Sequence, residues 1–308
     1  MADDPRWPRA SRWLSPMPEP ARGPAGGRAG IAVLGVPTHR TSLSATAAHS
    51  TPAAVRAALA RYGTWVAGAG LDLRDLPAVD LGDVADPDGP GGEDRVRAAV
   101  GRVPDGHVLV ALGGDNAATL PVASGLGVDG LVTVDAHHDL RDGRSNGSPV
   151  RRLVDEAGLA GRRIVQVGIA DFANSADYAA RARDLGITVV PREVLRRRPI
   201  AEVMAEALEI AGSGPLGRVH VDLDVDACDR SVAPACPASM PGGLSADELR
   251  TAARTAGRDR RVVGVDIVEV DARADSPDGR TVRLAALCLL ETAAGVLERP
   301  ARILPPRP

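Results

Sequence analysis

Residues 218–229 read RVHVDLDVDACD, an alternating β-branched and apolar run into which Asp222, Asp224 and Asp226 are set. Valine and leucine in such density predict a strand buried on both faces, as in a parallel sheet. A buried strand excludes aspartate unless something repays the charge, because an unpaired interior carboxylate costs several kcal/mol or is forced neutral. A second stretch, GLVTVDAHHDL at 130–140, repeats the pattern with Asp135, His137 and Asp139. Side chains two apart on a strand share a side, so Asp135, His137 and Asp139 can converge, as can Asp224 and Asp226. One such Asp could simply cap the next helix or end its strand. Two clusters on two strands point instead to a divalent cation, since five ligands at one sheet edge would otherwise repel. Carboxylates with imidazole suit Mn²⁺ or a similar first-row ion, and no paired cysteines suggest a structural zinc.

Working outward, the other strand candidates are 31–36, 107–113, 163–169, 187–190 and 261–270. Helical stretches over 52–61, 92–101, 174–184, 201–211, 245–256 and 281–297 alternate with them. Thr51, Ser175 and Ser245 are the candidate N-caps, with Pro52 suited to a first helical turn. Strands alternating with helices predict an α/β fold: a mostly parallel central sheet covered on both faces, three layers deep. Ligands in such sheets bind beyond the carboxyl ends of the strands, where both acidic clusters fall. Residues 1–29, rich in Pro, Arg, Gly and Ser, are expected to form a mobile tail, with Trp7 and Trp13 available to dock on the domain. Residues 30–308 are expected to form one domain, with no internal repeat or linker.

Composition narrows the function. The chain has 308 residues, 44% of them hydrophobic, so a sizeable core can be buried. Three Trp, two Tyr and one Phe leave no aromatic platform for stacking bases, and a net charge of −3 with scattered basic residues offers no footprint for nucleic acid or an anionic membrane. All 37 basic residues other than histidine are arginine. Lysine-based Schiff-base chemistry and a P-loop lysine are therefore excluded. Three cysteines without a CxxC suit a reducing cytosol, and the N-terminus lacks the apolar core of a secretory signal, so a cytoplasmic location is expected.

Four motifs carry a family resemblance. DAHHD at 135–139 resembles the DAHxD signature of the ureohydrolases, the arginase and agmatinase family. DVDACDRSVAPACPASMPGG at 224–243 resembles that family's second acidic signature, GGDN at 113–116 its GGDH, and GVDIVEV at 264–270 the segment with its substrate-binding Glu. Their order is the family's. The resemblance implies the three-layer α/β/α fold shared by arginases and deacetylases, trimers or hexamers, and a binuclear manganese site. Asp135 and Asp224 would bridge, Asp139 would serve one ion, and His137 and Asp226 the other. Asp222 is an extra acid upstream. Glu269 would receive the cationic end of the substrate.

Two positions depart. Asn116 stands where most members have a ligating His, which makes it a doubtful ligand. Asn146, in Ser145-Asn146-Gly147, stands where arginase and agmatinase have a catalytic His; Asn cannot carry protons near pH 7. The bacterial formimidoylglutamases resemble the chain at these positions and over residues 31–297, including the segments at 35–59 and 166–178. The resemblance thus implies hydrolysis of N-formimidoyl-L-glutamate to L-glutamate and formamide, a step of histidine degradation. Arg144, Arg151 and Arg152, beside Asn146, are the candidates for its carboxylates. His138 is a candidate for proton transfer or for hydrogen-bonded support. A guanidino hydrolase, such as agmatinase or guanidinobutyrase, and a catalytically silent binding subunit remain the other readings.

Overall fold

In the computed structural model, residues 4–16 and 29–300 are described. The strands, in chain order, are β1 (Ser15–Pro16), β2 (Gly30–Val36), β3 (Trp65–Val66), β4 (Leu71–Asp72), β5 (Ala78–Asp83), β6 (His107–Gly113), β7 (Gly130–Val134), β8 (Ile164–Ile169), β9 (Thr188–Pro191), β10 (Val219–Asp224) and β11 (Val262–Val268). Apart from the β3–β4 hairpin, they form one sheet of order β1-β5-β2-β6-β11-β10-β7-β8-β9. Every neighbouring pair in it is parallel. The fold is therefore the α/β one expected from the alternating pattern.

Helices cover both faces: α1 (Ala10–Trp13), α2 (Thr51–Ala58), α3 (Gly92–Val100), α4 (Thr119–Leu126), α5 (Pro149–Asp155), α6 (Ala176–Asp184), α7 (Arg192–Leu195), α8 (Ile200–Ala211), α9 (Ala246–Arg258) and α10 (Arg280–Leu297). Val219, Val221 and Leu223 of β10 join Val265 and Ile267 of β11 in the large aliphatic core shared with α8, α9 and α10. Alternation then puts His220, Asp222 and Asp224 on the opposite face, the side of α3, α4 and α5. The site is thus built from one face of the central strands and from the turns that follow them.

The segment before residue 30 is not wholly a tail. Trp13 is buried and its Nε1 donates to the Leu76 carbonyl at 2.8 Å, while β1 pairs with the edge strand β5. Trp7 stays half exposed, with the Arg9 guanidinium over its ring. The other tail positions, 1–3 and 17–28, and the last residues, 301–308, lie outside the described residues. Ser175 and Ser245 cap α6 and α9, the latter in a full capping box with Glu248. Thr51 is no cap: a 3₁₀ turn over Ala48–Ser50 runs into the helix, and its hydroxyl bonds the Val270 carbonyl instead. No helix among the described residues is long and apolar enough to cross a membrane.

Candidate metal centre

The four central strands β6, β11, β10 and β7 end side by side, and each hands over a polar turn. β7 stops at Val134, so Asp135, His137 and Asp139 converge through a turn and not along a continuing strand. Asp135 sets that turn itself: its Oδ1 accepts the His137 backbone N–H at 2.7 Å. β10 is closed the same way, Asp224 Oδ1 accepting from the Asp226 N–H at 2.8 Å. Asp139 and Glu269 both adopt left-handed backbone, φ 52° and 63°, a strained state that aims side chains at functional sites. Gly114 is needed for close approach, because a Cβ there would lie 1.9 Å from the Thr38 carbonyl oxygen.

Asp135, His137 and Asp226 offer ligand atoms that all lie within 4.8 Å of one another. His137 Nδ1 is 3.1 Å from Asp226 Oδ2 and 3.5 Å from Asp135 Oδ1. The second oxygens, Asp135 Oδ2 and Asp226 Oδ1, are buried without a hydrogen-bond partner among the described residues. Burial pushes the Asp135 carboxyl up to about 6 and drives Asp139 and Asp224 well above the usual range, neighbouring carboxylates adding to the effect. Burial works against a charged His137, but Asp226 and Asp135 outweigh it and push the imidazole up to about 12. Such a donor set fits a hard or borderline divalent cation, which would relieve the repulsion and satisfy the orphaned oxygens.

Asn116 lies on the other side of this group. Its Nδ2 donates to Asp139 Oδ2 at 2.7 Å and reaches Asp224 Oδ2 at 3.3 Å and Asp222 Oδ2 at 3.4 Å. Its Oδ1 accepts from the Thr119 hydroxyl. The backbone N–H of Asn116 bonds Glu269 Oε1 at 2.7 Å, and Asn146 Nδ2 bonds the same oxygen at 2.8 Å. Burial, then Asp115 and Asp226, push the Glu269 carboxyl up to about 8.

Above these groups opens a cavity of about 310 Å³. His137, Asp139, Asp224, Asp226, Asn146 and Glu269 line it together with Ser42, Leu43, Ser44, Thr46, Asn174 and Tyr178. The three expected arginines are not in that lining. Arg152 is buried against Glu93 and Glu156, at 2.8 Å from each. Arg151 pairs with Asp155 and braces the carbonyls of Arg141 and Gly143. Arg144 is exposed outside the pocket. The arginine that does line the cavity is Arg141. Its neighbouring acids are taken, Asp142 by Arg181 and Asp155 by Arg151, so no carboxylate among the described residues holds its guanidinium. No strand period points to it, since β7 ends at Val134 and residue 141 lies beyond the turn. His138 turns away, its Nδ1 2.6 Å from Gln166 Oε1 on β8 and its carbonyl accepting from Gln166 Nε2. That contact makes it a support of the turn and leaves it outside the cavity lining.

A model of the arginase family matches residues 29–295. The chain belongs to the arginase family. It is similar to a formimidoylglutamase of Halalkalibacterium halodurans, 32% identical over 86% of this chain and 87% of that one. The crystal structure of formimidoylglutamase from Bacillus subtilis superposes with a TM-score of 0.87, at 28% identity, over 98% of this chain and 95% of that one. A Trypanosoma cruzi formiminoglutamase solved with Mn²⁺ shares the fold, with a TM-score of 0.82 and 24% identity over 96% of this chain and all of that one. As an arginase-family hydrolase, the protein acts on amidine or guanidino C–N bonds of small molecules.

Proposed function

We propose that the protein hydrolyses N-formimidoyl-L-glutamate to L-glutamate and formamide with Mn²⁺ at the centre built by Asp135, His137, Asp139, Asp224 and Asp226. One observation carries this reading: a single cavity is lined by a carboxylate, Glu269, and by an arginine with no acidic partner among the described residues, Arg141. The substrate has the same polarity, an amidinium at one end and carboxylates at the other. The similarity to a formimidoylglutamase over most of both chains supports the same choice.

When bound, the metal supplies Lewis-acid polarisation and an activated water. The chain's own residues do the rest. Glu269 Oε1 is occupied by Asn116 and Asn146, while Oε2 makes no hydrogen bond among the described residues and is free to accept the amidinium N–H. Asn146 fixes the direction of that carboxylate and, through Oδ1, also receives the Leu43 backbone N–H at 3.0 Å, tying the pocket wall to the floor. Arg141 takes a carboxylate of the glutamyl part. Water adds to the formimidoyl carbon, the bond to the glutamyl nitrogen breaks with that nitrogen taking a proton, and formamide leaves. The formimidoyl carbon bears H and two nitrogens. It is less resonance-stabilised than a guanidinium carbon, so its hydrolysis demands less proton transfer from the protein, and Asn146, which carries no titratable proton, supplies none.

The test is turnover of formimidoyl-glutamate, arginine, agmatine and guanidinobutyrate with added Mn²⁺, following formamide and urea separately. Formamide from the first, with little urea from the others, is expected. Efficient agmatine hydrolysis would transfer the assignment to the guanidino hydrolases. No turnover of any of them would leave the silent binding subunit.

A further inference from the structure

Below the centre runs a buried polar row that the proposed reaction does not use. Asp222, in the middle of β10, is matched in register by Thr133 on β7 and by Asp266 on β11. All three are fully buried. His220, also fully buried and on the same face of β10, places Nε2 2.9 Å from Asp266 Oδ2. At the other end Asp222 Oδ2 lies 3.4 Å from Asn116 Nδ2, which also reaches Asp139 and Asp224. The chain His220–Asp266–Asp222–Asn116 therefore rises from the sheet interior into the centre. Three of its polar atoms, His220 Nδ1, Asp266 Oδ1 and Asp222 Oδ1, and the neighbouring Thr133 Oγ1 have no hydrogen-bond partner among the described residues.

An acid set so deep is costly unless it serves an interaction that repays the burial. The two sides of the centre are unequal. One has the convergent set Asp135, His137 and Asp226. The other has Asp139 and Asp224 with only a neutral amide where the GGDH motif would bring an imidazole. An amide oxygen is a weaker donor than imidazole, and its N–H₂ cannot ligate at all. The additional acid lies against that weaker side.

We propose that Asp222 compensates for Asn116: set beside Asp266, which His220 holds, it accepts from the amide of Asn116 and adds a further carboxylate that helps draw a divalent ion to the Asp139–Asp224 side. Asp222 acts through Asn116 and is thus a positioning residue. The inference rests on the metal centre of the proposed function and not on which amidine is cleaved.

The test is calorimetric titration of the chelator-treated protein with Mn²⁺, backed by metal analysis after dialysis. It compares the unmodified protein with Asp222→Ser, Asp222→Asn, Asn116→His and the double variant Asn116→His/Asp222→Asn. Asp222→Asn keeps the shape of the side chain, so it stands in should the serine variant not fold. Loss of Asp222 should weaken one of two ions by about tenfold or more, the usual effect of removing a supporting group, and leave the other unchanged. With imidazole at 116 the same loss should shrink to less than about threefold. Unchanged binding of both ions in Asp222→Asn would overturn the proposal. So would a loss of equal size with Asn and with His at 116, since Asp222 would then act independently of the amide. Titration of Mn²⁺ needs no substrate, so failure here is distinct from failure of the formimidoyl assignment.

Discussion

Arg141 and Arg152 show how one residue type takes opposite roles along a short stretch of chain. Arg152 is buried, and both edges of its guanidinium are spent on Glu93 and Glu156. Arg152→Ala should therefore act on stability. Its partners are partly exposed, so the loss is expected at about 1–3 kcal/mol, below that of a fully buried pair. Denaturant unfolding checks it, with KM for formimidoyl-glutamate near that of the unmodified protein. Arg141 has the reverse profile, and Arg141→Ala should leave unfolding alone. Losing a charged hydrogen bond to substrate costs about 1.5–3 kcal/mol, roughly a ten- to hundred-fold drop in kcat/KM. A KM effect from Arg152→Ala, with none from Arg141→Ala, would return the clamp to the segment that the sequence first suggested. At the floor, Asp135→Ala and Asp224→Ala should each abolish activity and release metal, read by elemental analysis, because each also closes its own turn. Full activity in Asp224→Ala would show that the ligand pair lies elsewhere in the acidic segment.

The strands that form the floor were legible as apolar runs, and the acids were legible because burial makes them anomalous there. What escaped the sequence was local. β5 is a half-exposed strand reading AVDLGD, with too many polar residues to stand out. α4 reads TLPVASGL, where Pro121, Ser124 and Gly125 weaken any helical signal, yet the helix is held by burial of most of its residues. β11 was read through residue 270, but it ends at Val268 because Glu269 turns to φ 63° to enter the site. The three expected arginines fall outside the cavity lining, because proximity in sequence says nothing of which way α5 and the loop before it face. The loop before that helix carries the decisive geometry. A Cβ at Gly147 would lie 2.7 Å from Arg141 Cδ and 3.3 Å from Leu43 Cδ1. Gly147→Ala should therefore displace the arginine and the pocket wall together. KM should rise towards that of Arg141→Ala, while Mn²⁺ stoichiometry by metal analysis stays unchanged. Unaltered kinetics would mean that the Arg141 stem does not need the path across Gly147.

Across the whole molecule, the interior charge couples folding, metal and pH. In the folded, metal-free chain burial raises Asp135 from 3.8 to about 6 and Glu269 from 4.5 to about 8, and lifts Asp139, Asp222 and Asp224 well above their ordinary value. An acid with a raised folded pKa binds more protons folded than unfolded. Its favourable contribution is complete below the unfolded value and is lost as pH rises through the folded one. His137, opposed by burial but raised to about 12 by Asp226 and Asp135, gives the same sign, its contribution shrinking upward from 6.5. Stability of the metal-free protein should thus fall between about pH 5 and pH 8. A divalent ion takes the place of those protons and binds more tightly as they leave, so its stabilisation should grow over the same window. With Mn²⁺ at about a hundred times its Kd the gain is about 2.7 kcal/mol, roughly 4 °C in Tm for a chain of 308 residues. Thermal unfolding in chelator and in Mn²⁺ at pH 5.5, 7 and 8 measures both curves. The metal-free Tm should decline along the series and the gap to the Mn²⁺ curve should widen. A metal-free Tm that climbs from pH 5.5 to 8 would show that the buried acids do not govern stability, and that their charge is compensated inside the fold before any cation arrives.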